Sequence, residues 1–92
     1  MDAKTRNKAL RTANKALAAL ETYTSDFSAW IGQVREIVTK AGFEIDLSGM
    51  FLGESSYCVE SAIEEDGKSK LAVRISWHKM PSGRYEMLAY MS

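Results

Sequence analysis

The chain has 92 residues, of which 12 are basic and 12 are acidic, so its formal net charge at pH 7 is zero. A chain of this length has room for one hydrophobic core, and we expect a single domain over residues 1–92. Little apolar area is left for a deep substrate cavity, which argues against an enzyme. Hydrophobic residues make up 46% of the sequence, which excludes a mainly disordered chain.

The charges are segregated along the sequence. Residues 2–20 contain five bases and one acid, residues 41–67 contain seven acids and no base, and residues 68–92 contain five bases and one acid. A net charge of zero therefore conceals local fields of both signs. Such fields act on binding partners rather than on the fold, so the sequence predicts a small domain that binds something.

Cys58 and His78 are the only cysteine and histidine, so an internal disulfide and a clustered Cys/His metal site are excluded. We expect no metal, no cofactor and no catalytic residue. A Cys–His nucleophile pair on one sheet face is the remaining catalytic alternative. No apolar run approaches the ~20 residues that span a bilayer, and no leader pattern is visible. We therefore expect a cytoplasmic protein.

Residues 3–22 are predicted to form the first helix, because Leu10, Ala13, Leu17 and Leu20 recur at spacings of three and four. Six alanines between positions 3 and 19 add helix propensity. An alternative is one long helix that continues through the next helical segment with a bend near residue 24.

The basic residues of this helix have a period of their own. Lys4, Lys8, Arg11 and Lys15 follow one another at spacings of four, three and four. At 100° per residue they fall within a stripe about 60° wide, opposite the leucines. We call these four residues the basic stripe. It is a candidate contact for phosphates or for an acidic protein surface. The alternative is an ordinary solvated helix face, although such a face usually mixes both signs of charge.

Residues 26–41 are predicted to form the second helix. Ser25 is the expected N-cap, and Gly42 is the expected C-terminal stop. The predicted apolar face consists of Phe27, Trp30, Ile31, Val34, Ile37, Val38 and Ala41.

The remaining sequence predicts an antiparallel meander with strands at about 43–47, 56–64, 69–78 and 84–91. Asp66-Gly67 and Pro81-Ser82-Gly83 are the expected turns. The last strand is apolar on both faces apart from Glu86, which indicates a central or partner-covered strand. The chain is thus expected to be an α+β protein, with two N-terminal helices packed on a three- to four-stranded sheet.

The predicted core follows from these periodicities. It consists of Leu10, Leu17, Leu20, Phe27, Trp30, Ile31, Val34, Ile37, Val38, Val59, Ile63, Val73, Ile75 and Trp77.

Three further segments are candidate contacts. Arg74, Lys79 and Arg84 lie among aromatic residues on the last two strands, a composition found in surfaces that bind single-stranded nucleic acid. The acidic segment 44–66 is a candidate phosphate mimic, or simply an exposed turn. The apolar loop 48–53 is a candidate partner contact, or a cap on the core.

The run Ser76-Trp-His-Lys-Met-Pro-Ser-Gly-Arg-Tyr-Glu86, followed by Ala89-Tyr90, resembles the tails of short proteins carried by phages and mobile elements. In size, sorted charge and lack of catalytic motifs, the whole chain resembles anti-CRISPR proteins. The resemblance implies a stoichiometric inhibitor that acts in the host cytoplasm. Its partner would be an RNA-guided complex of Cas proteins and guide RNA, which it would block from binding target DNA.

The contacts expected for such a binder are the basic stripe together with Arg74, Lys79 and Arg84. One alternative is a small nucleic-acid-binding protein that uses the first helix. Another is a self-associating protein that pairs through its last strand, so either a monomer or a dimer is compatible with the sequence.

Overall fold

Two helices and four strands make up the computed structural model, which describes residues 3–50, 53, 55–63 and 70–92. In chain order the elements are α1 (Ala3–Ala18), β1 (Tyr23–Thr24), α2 (Phe27–Lys40), β2 (Ser56–Ile63), β3 (Lys70–Lys79) and β4 (Tyr85–Met91). The strands form one antiparallel sheet in the order β1-β4-β3-β2. The predicted α+β class is confirmed.

The break between the helices is real, and its details differ from the prediction. α2 begins after Asp26, not after Ser25, because the Asp26 carboxylate accepts a hydrogen bond from the backbone N–H of Ala29 at 3.0 Å. Thr24 fixes the backbone just before α2, since its hydroxyl accepts a hydrogen bond from the N–H of Asp26 at 3.0 Å. At the other end Gly42 has φ 97°, the left-handed conformation expected of a helix stop.

The predicted strand over 43–47 is wrong, because this segment pairs with no described strand. Its alternation is nevertheless real: Phe43 and Leu47 are buried, whereas Glu44 and Asp46 are exposed. An extended segment lying on a core produces this burial pattern without ladder hydrogen bonds. The strand that the prediction missed is β1, which lies inside the predicted break and pairs Tyr23 with Glu86 of β4.

Alternation along β3 and β4 places the core on one face of the sheet. Val73, Ile75 and Trp77 are buried on β3, and Met87, Ala89 and Met91 are buried on β4. Both helices pack against this face, and the buried residues of all these elements form one cluster. At its end, the Phe27 ring of α2 meets Trp77 and Tyr85 edge-on, at centroid distances of 5.3 and 5.2 Å.

Most of the predicted core lies in this cluster. Leu17, Trp30, Ile31, Val34 and Val38 are buried, as are the three residues of β3. Leu10, Leu20, Phe27 and Ile37 are half-buried against it. The side chains of Val59 and Ile63 lie outside the described part, as does the Asp66-Gly67 turn. The prediction omitted six buried residues: Ala13, Phe43, Leu47, Met87, Ala89 and Met91.

The turn between β3 and β4 follows the Pro81-Ser82-Gly83 prediction. Gly83 has φ 89°, and its N–H donates to the Met80 carbonyl at 2.9 Å. The N–H of Met80 donates to the Arg84 carbonyl at 2.8 Å, which closes the loop. A side chain is strained at such a φ, so glycine is the suitable residue there.

The outer edge of β4 is closed by short contacts rather than by a long strand. Near its start, the N–H of Met87 donates to the Thr22 carbonyl beside β1. At its end, the Asn14 side chain of α1 takes the place of a neighbouring strand. Its amide oxygen accepts from the N–H of Met91 at 2.7 Å, and its amide nitrogen donates to the Met91 carbonyl at 2.9 Å. β4 is therefore an internal strand.

Replacing Asn14 with alanine should lower the free energy of unfolding by about 1–2 kcal/mol. Two half-buried backbone groups lose their partners, and the higher helix propensity of alanine offsets only part of that cost. Urea denaturation of both proteins measures the difference. The same change at exposed Asn7 is the control, since it alters propensity on the same helix without touching β4. If Asn7→Ala lowered the free energy of unfolding as much as Asn14→Ala, the stabilising role of the Asn14 hydrogen bonds to β4 would be contradicted.

Candidate binding surfaces

The basic stripe lies on the side of α1 that faces away from the sheet. Lys4, Lys8, Arg11 and Lys15 are all exposed, while Ala13 and Leu17, on the opposite side of the helix, are buried. Within the described residues, none of the four forms an ion pair. The stripe is about 16 Å long at 1.5 Å per residue. It therefore offers a row of unpaired cations to a ligand.

The three basic residues predicted near the C terminus are exposed but do not form a cluster. Arg74 lies in the middle of β3, on the sheet face that the helices leave uncovered. Lys79 lies at the end of β3 and pairs with Tyr85, whose ring turns toward the helices. Arg84 lies in the turn, with its guanidinium 5.7 Å from the centre of the Tyr23 ring. None of the three continues the basic stripe, which lies on the other side of the molecule.

The uncovered side of the sheet is a surface that sequence reasoning missed, and we call it the open face. The strand register arranges its side chains in rows that cross the sheet. One row runs Cys58, Arg74, Tyr90. The next runs Ser56, Ser76, Leu88, and the last runs His78, Glu86, Tyr23. All nine residues are exposed.

Large apolar side chains are concentrated on this face. Tyr23, Leu88 and Tyr90 are 41%, 57% and 43% exposed, and they are the described large hydrophobic residues with the greatest exposure. Leu88 lies in the middle row beside the small side chain of Ser76, where a shallow depression of about 370 Å³ opens. An apolar residue exposed at the centre of a sheet, with tyrosines and an arginine around it, is typical of a protein contact surface.

The catalytic alternative fails on geometry. Cys58 and His78 share the open face, and Cys58 is exposed, although a lone cysteine is usually buried. Cys58 pairs with Arg74, four positions from His78 along β3. Four residues of strand span about 14 Å, which is too far for a nucleophile–base pair. The described residues contain no group of three or more His, Cys, Asp or Glu side chains that could hold a metal ion.

The indole nitrogens of the two tryptophans differ in their partners. Trp30 donates to the Glu21 carbonyl at 2.8 Å. The Nε1 atom of Trp77 is buried without a hydrogen-bond partner among the described groups. The ring of Trp77 is only 4% exposed, which confirms it as a core residue and removes it from the predicted aromatic nucleic-acid surface.

Part of the acidic segment is described. Glu44 and Asp46 are exposed, and the Asp46 carboxylate accepts a hydrogen bond from the backbone N–H of Ser48 at 2.9 Å. This bond lowers the pKa of Asp46, with smaller contributions from the Ser48 hydroxyl and from the charge of Arg35. Glu64, Glu65 and Asp66 lie outside the described residues. Met50 of the apolar loop is half-buried against the core, which favours the capping role at that position.

Comparison with protein-family models, with curated proteins and with solved structures found no match for this chain. Along the described ranges, no helix combines the length and the apolar character needed to cross a bilayer. The basic stripe and the open face are therefore the features from which a function can be inferred.

Replacing Ser48 with alanine should raise the pKa of Asp46 only part of the way back to the ordinary value of an aspartate, because the hydrogen bond from the backbone N–H remains. Proton titration followed by NMR of the Asp46 carboxyl measures this. The ionised form is favoured in the folded state, so its contribution to stability exists above the ordinary pKa and is lost as pH falls through the lowered one. Ser28→Ala, on α2, is the control and should leave Asp46 unchanged.

Proposed function

We propose that this protein is a small non-catalytic inhibitor that binds a large protein or ribonucleoprotein complex through the basic stripe. The observation that carries the proposal is the stripe itself: Lys4, Lys8, Arg11 and Lys15 are exposed, contain no acid among them and face away from the core. A row of cations with no internal counter-charge attracts an anionic surface and accelerates encounter with it.

The form of the molecule supports binding rather than catalysis. Cys58 and His78, the pair that could have formed a nucleophile and its base, lie too far apart to act together, and the depressions on the described surface are open to solvent. The chain also presents contacts on both sides, with the stripe on one and the open face on the other. Such a molecule acts by occupying a surface, and so by excluding whatever else would bind there.

An RNA-guided CRISPR-Cas complex is the first partner to test, because the C-terminal run of this sequence resembles proteins of phages and mobile elements. Such a complex holds guide RNA against basic protein channels, so it offers RNA phosphates beside protein surface. In this proposal the basic stripe docks on such an anionic patch in the host cytoplasm. The body of the domain then blocks the path of target DNA. Arg74, Lys79 and Arg84 would add contacts only where the partner wraps around the sheet.

A second candidate function is direct nucleic-acid binding by the same helix face. The stripe favours it, but the zero net charge and the acidic residues of the chain oppose it. The two functions differ in their ligands. If the protein is an inhibitor, affinity capture with it recovers a defined multi-subunit complex that survives nuclease. If it is a nucleic-acid binder, affinity capture recovers only bare RNA or DNA.

The experiment is an affinity capture with the tagged chain from host lysate, with and without nuclease, followed by kinetics on the purified complex. Lys8→Gln/Arg11→Gln should weaken binding about 3- to 30-fold at low salt, mainly through slower association, because each partly screened contact contributes up to about 1 kcal/mol. At ~0.5 M salt the Debye length is about 4 Å, so the difference in affinity between the variant and the original protein should shrink to less than about twofold.

The matched control is Arg35→Gln/Lys40→Gln, which removes the same two residue types from exposed positions on α2. It should change the association rate less than about twofold, since these positions lie off the stripe. Equal losses in the two double variants would mean that net charge, not the stripe, governs binding. Capture of no complex at either salt concentration would contradict the proposed function, and nuclease-sensitive capture would favour the second candidate.

A further inference from the structure

The open face has no covering element in the described chain. Both helices precede the long strands and pack on the same side of the sheet, so none is left for the other side. Leu88, at its centre, is 57% exposed. We infer that this face packs against the same face of a second copy of the chain, forming a dimer whose twofold axis runs parallel to the strands, between β3 and β4.

Strand order lets the two inner strands overlap fully, while the two residues of β1 lie over part of the partner's β2. In the order β1-β4-β3-β2, the midline of the sheet falls between β4 and β3. A twofold axis on that midline lays β3 over the partner's β4, and β4 over the partner's β3. An interface of this kind is isologous, so every contact occurs twice. Aligned packing of two sheets about 10 Å apart is an ordinary arrangement for twisted β-sheets.

The rows of the open face are complementary under that rotation. Arg74 pairs with Tyr90 in the register of β3 and β4, so the rotation sets the Arg74 guanidinium over the partner's Tyr90 ring, a cation–π contact. His78 and Glu86 share the last row, so His78 meets the partner's Glu86. In the middle row, Leu88 enters the space above the partner's small Ser76. Six of the nine side chains, those on β3 and β4, thus meet one of suitable charge or size.

Charge favours a second copy over single-stranded nucleic acid. Arg74 is the only lysine or arginine in the three rows, Arg84 adds one cation at the edge beside Tyr23, and Glu86 opposes them, so the open face attracts phosphate only weakly. Two copies of a chain with zero net charge do not repel each other at long range.

The size of the face predicts a weak dimer. Nine side chains, 4.8 Å apart across the strands and about 7 Å apart between rows, cover roughly 300 Å² on each copy, which is below the area of a standard specific interface. Dimer formation should therefore be reversible, with a dissociation constant in the micromolar range. The basic stripes remain exposed on the two outer surfaces of the dimer, so this inference does not depend on the proposed function.

Sedimentation velocity on the full chain, from about 1 to about 300 µM, tests the dimer over the range expected for an interface of this size. We expect the sedimentation coefficient to rise with concentration from that of the monomer to that of the dimer. Leu88→Arg should abolish the rise, because it brings two cations together at the twofold axis. Arg74→Glu, a second variant, should raise the dissociation constant of the dimer at least tenfold. Gln33→Arg on the exposed side of α2 is the matched control and should leave it unchanged.

Chemical cross-linking tests the orientation of the two copies. In a Cys58→Ser background, Ser76→Cys lies near the proposed axis, and a short bismaleimide should link two copies through it. Ser28→Cys on α2 should give no linked dimer. A monomer at all concentrations would overturn the inference, and so would a dimer that Leu88→Arg leaves intact. Oligonucleotide binding lost in Arg74→Glu, by a chain that stays monomeric, would assign the face to nucleic acid instead.

Discussion

The pairing of β3 with β4 is the constraint on which the rest of the structure depends. In an antiparallel pair, successive side chains alternate between the two faces, so one register decides the environment of every residue on both strands. Here it turns Val73, Ile75 and Trp77 inward together with the alternate residues of β4. The helices precede this pair in the sequence, and both are used to cover the inward side. The open face is the direct consequence.

The outer edge of β4 would expose unpaired backbone groups if nothing covered it, and such an edge can pair with strands of other chains. The chain closes this edge with two residues of β1 and with the amide of Asn14, which acts as a backbone substitute at Met91. Self-association through the last strand, an alternative suggested by the sequence, is therefore blocked where β1 and Asn14 bind. Association is directed to the open face, where side chains rather than backbone groups determine the partner.

The sequence predicted the features that depend on period and missed those that depend on pairing. Helical spacing located both helices and the basic stripe, because a 3.6-residue period survives without tertiary information. β1 was missed because two residues show no period. The 43–47 segment was assigned as a strand because alternation records burial, and burial by Phe43 and Leu47 does not require a neighbouring strand. The last strand was apolar on both faces in sequence, and only its register showed that Leu88 and Tyr90 point outward.

The two candidate surfaces differ in how they arise, and this explains why only one was predictable. The basic stripe lies within one helix, so four residues close in sequence determine it. The open face combines residues from Tyr23 to Tyr90 that no local pattern connects, and it exists only once four strands have paired. The two surfaces also lie on opposite sides of the sheet. A dimer through the open face would therefore leave both stripes outward, and one assembly with zero net charge would present two cationic contacts in opposite directions.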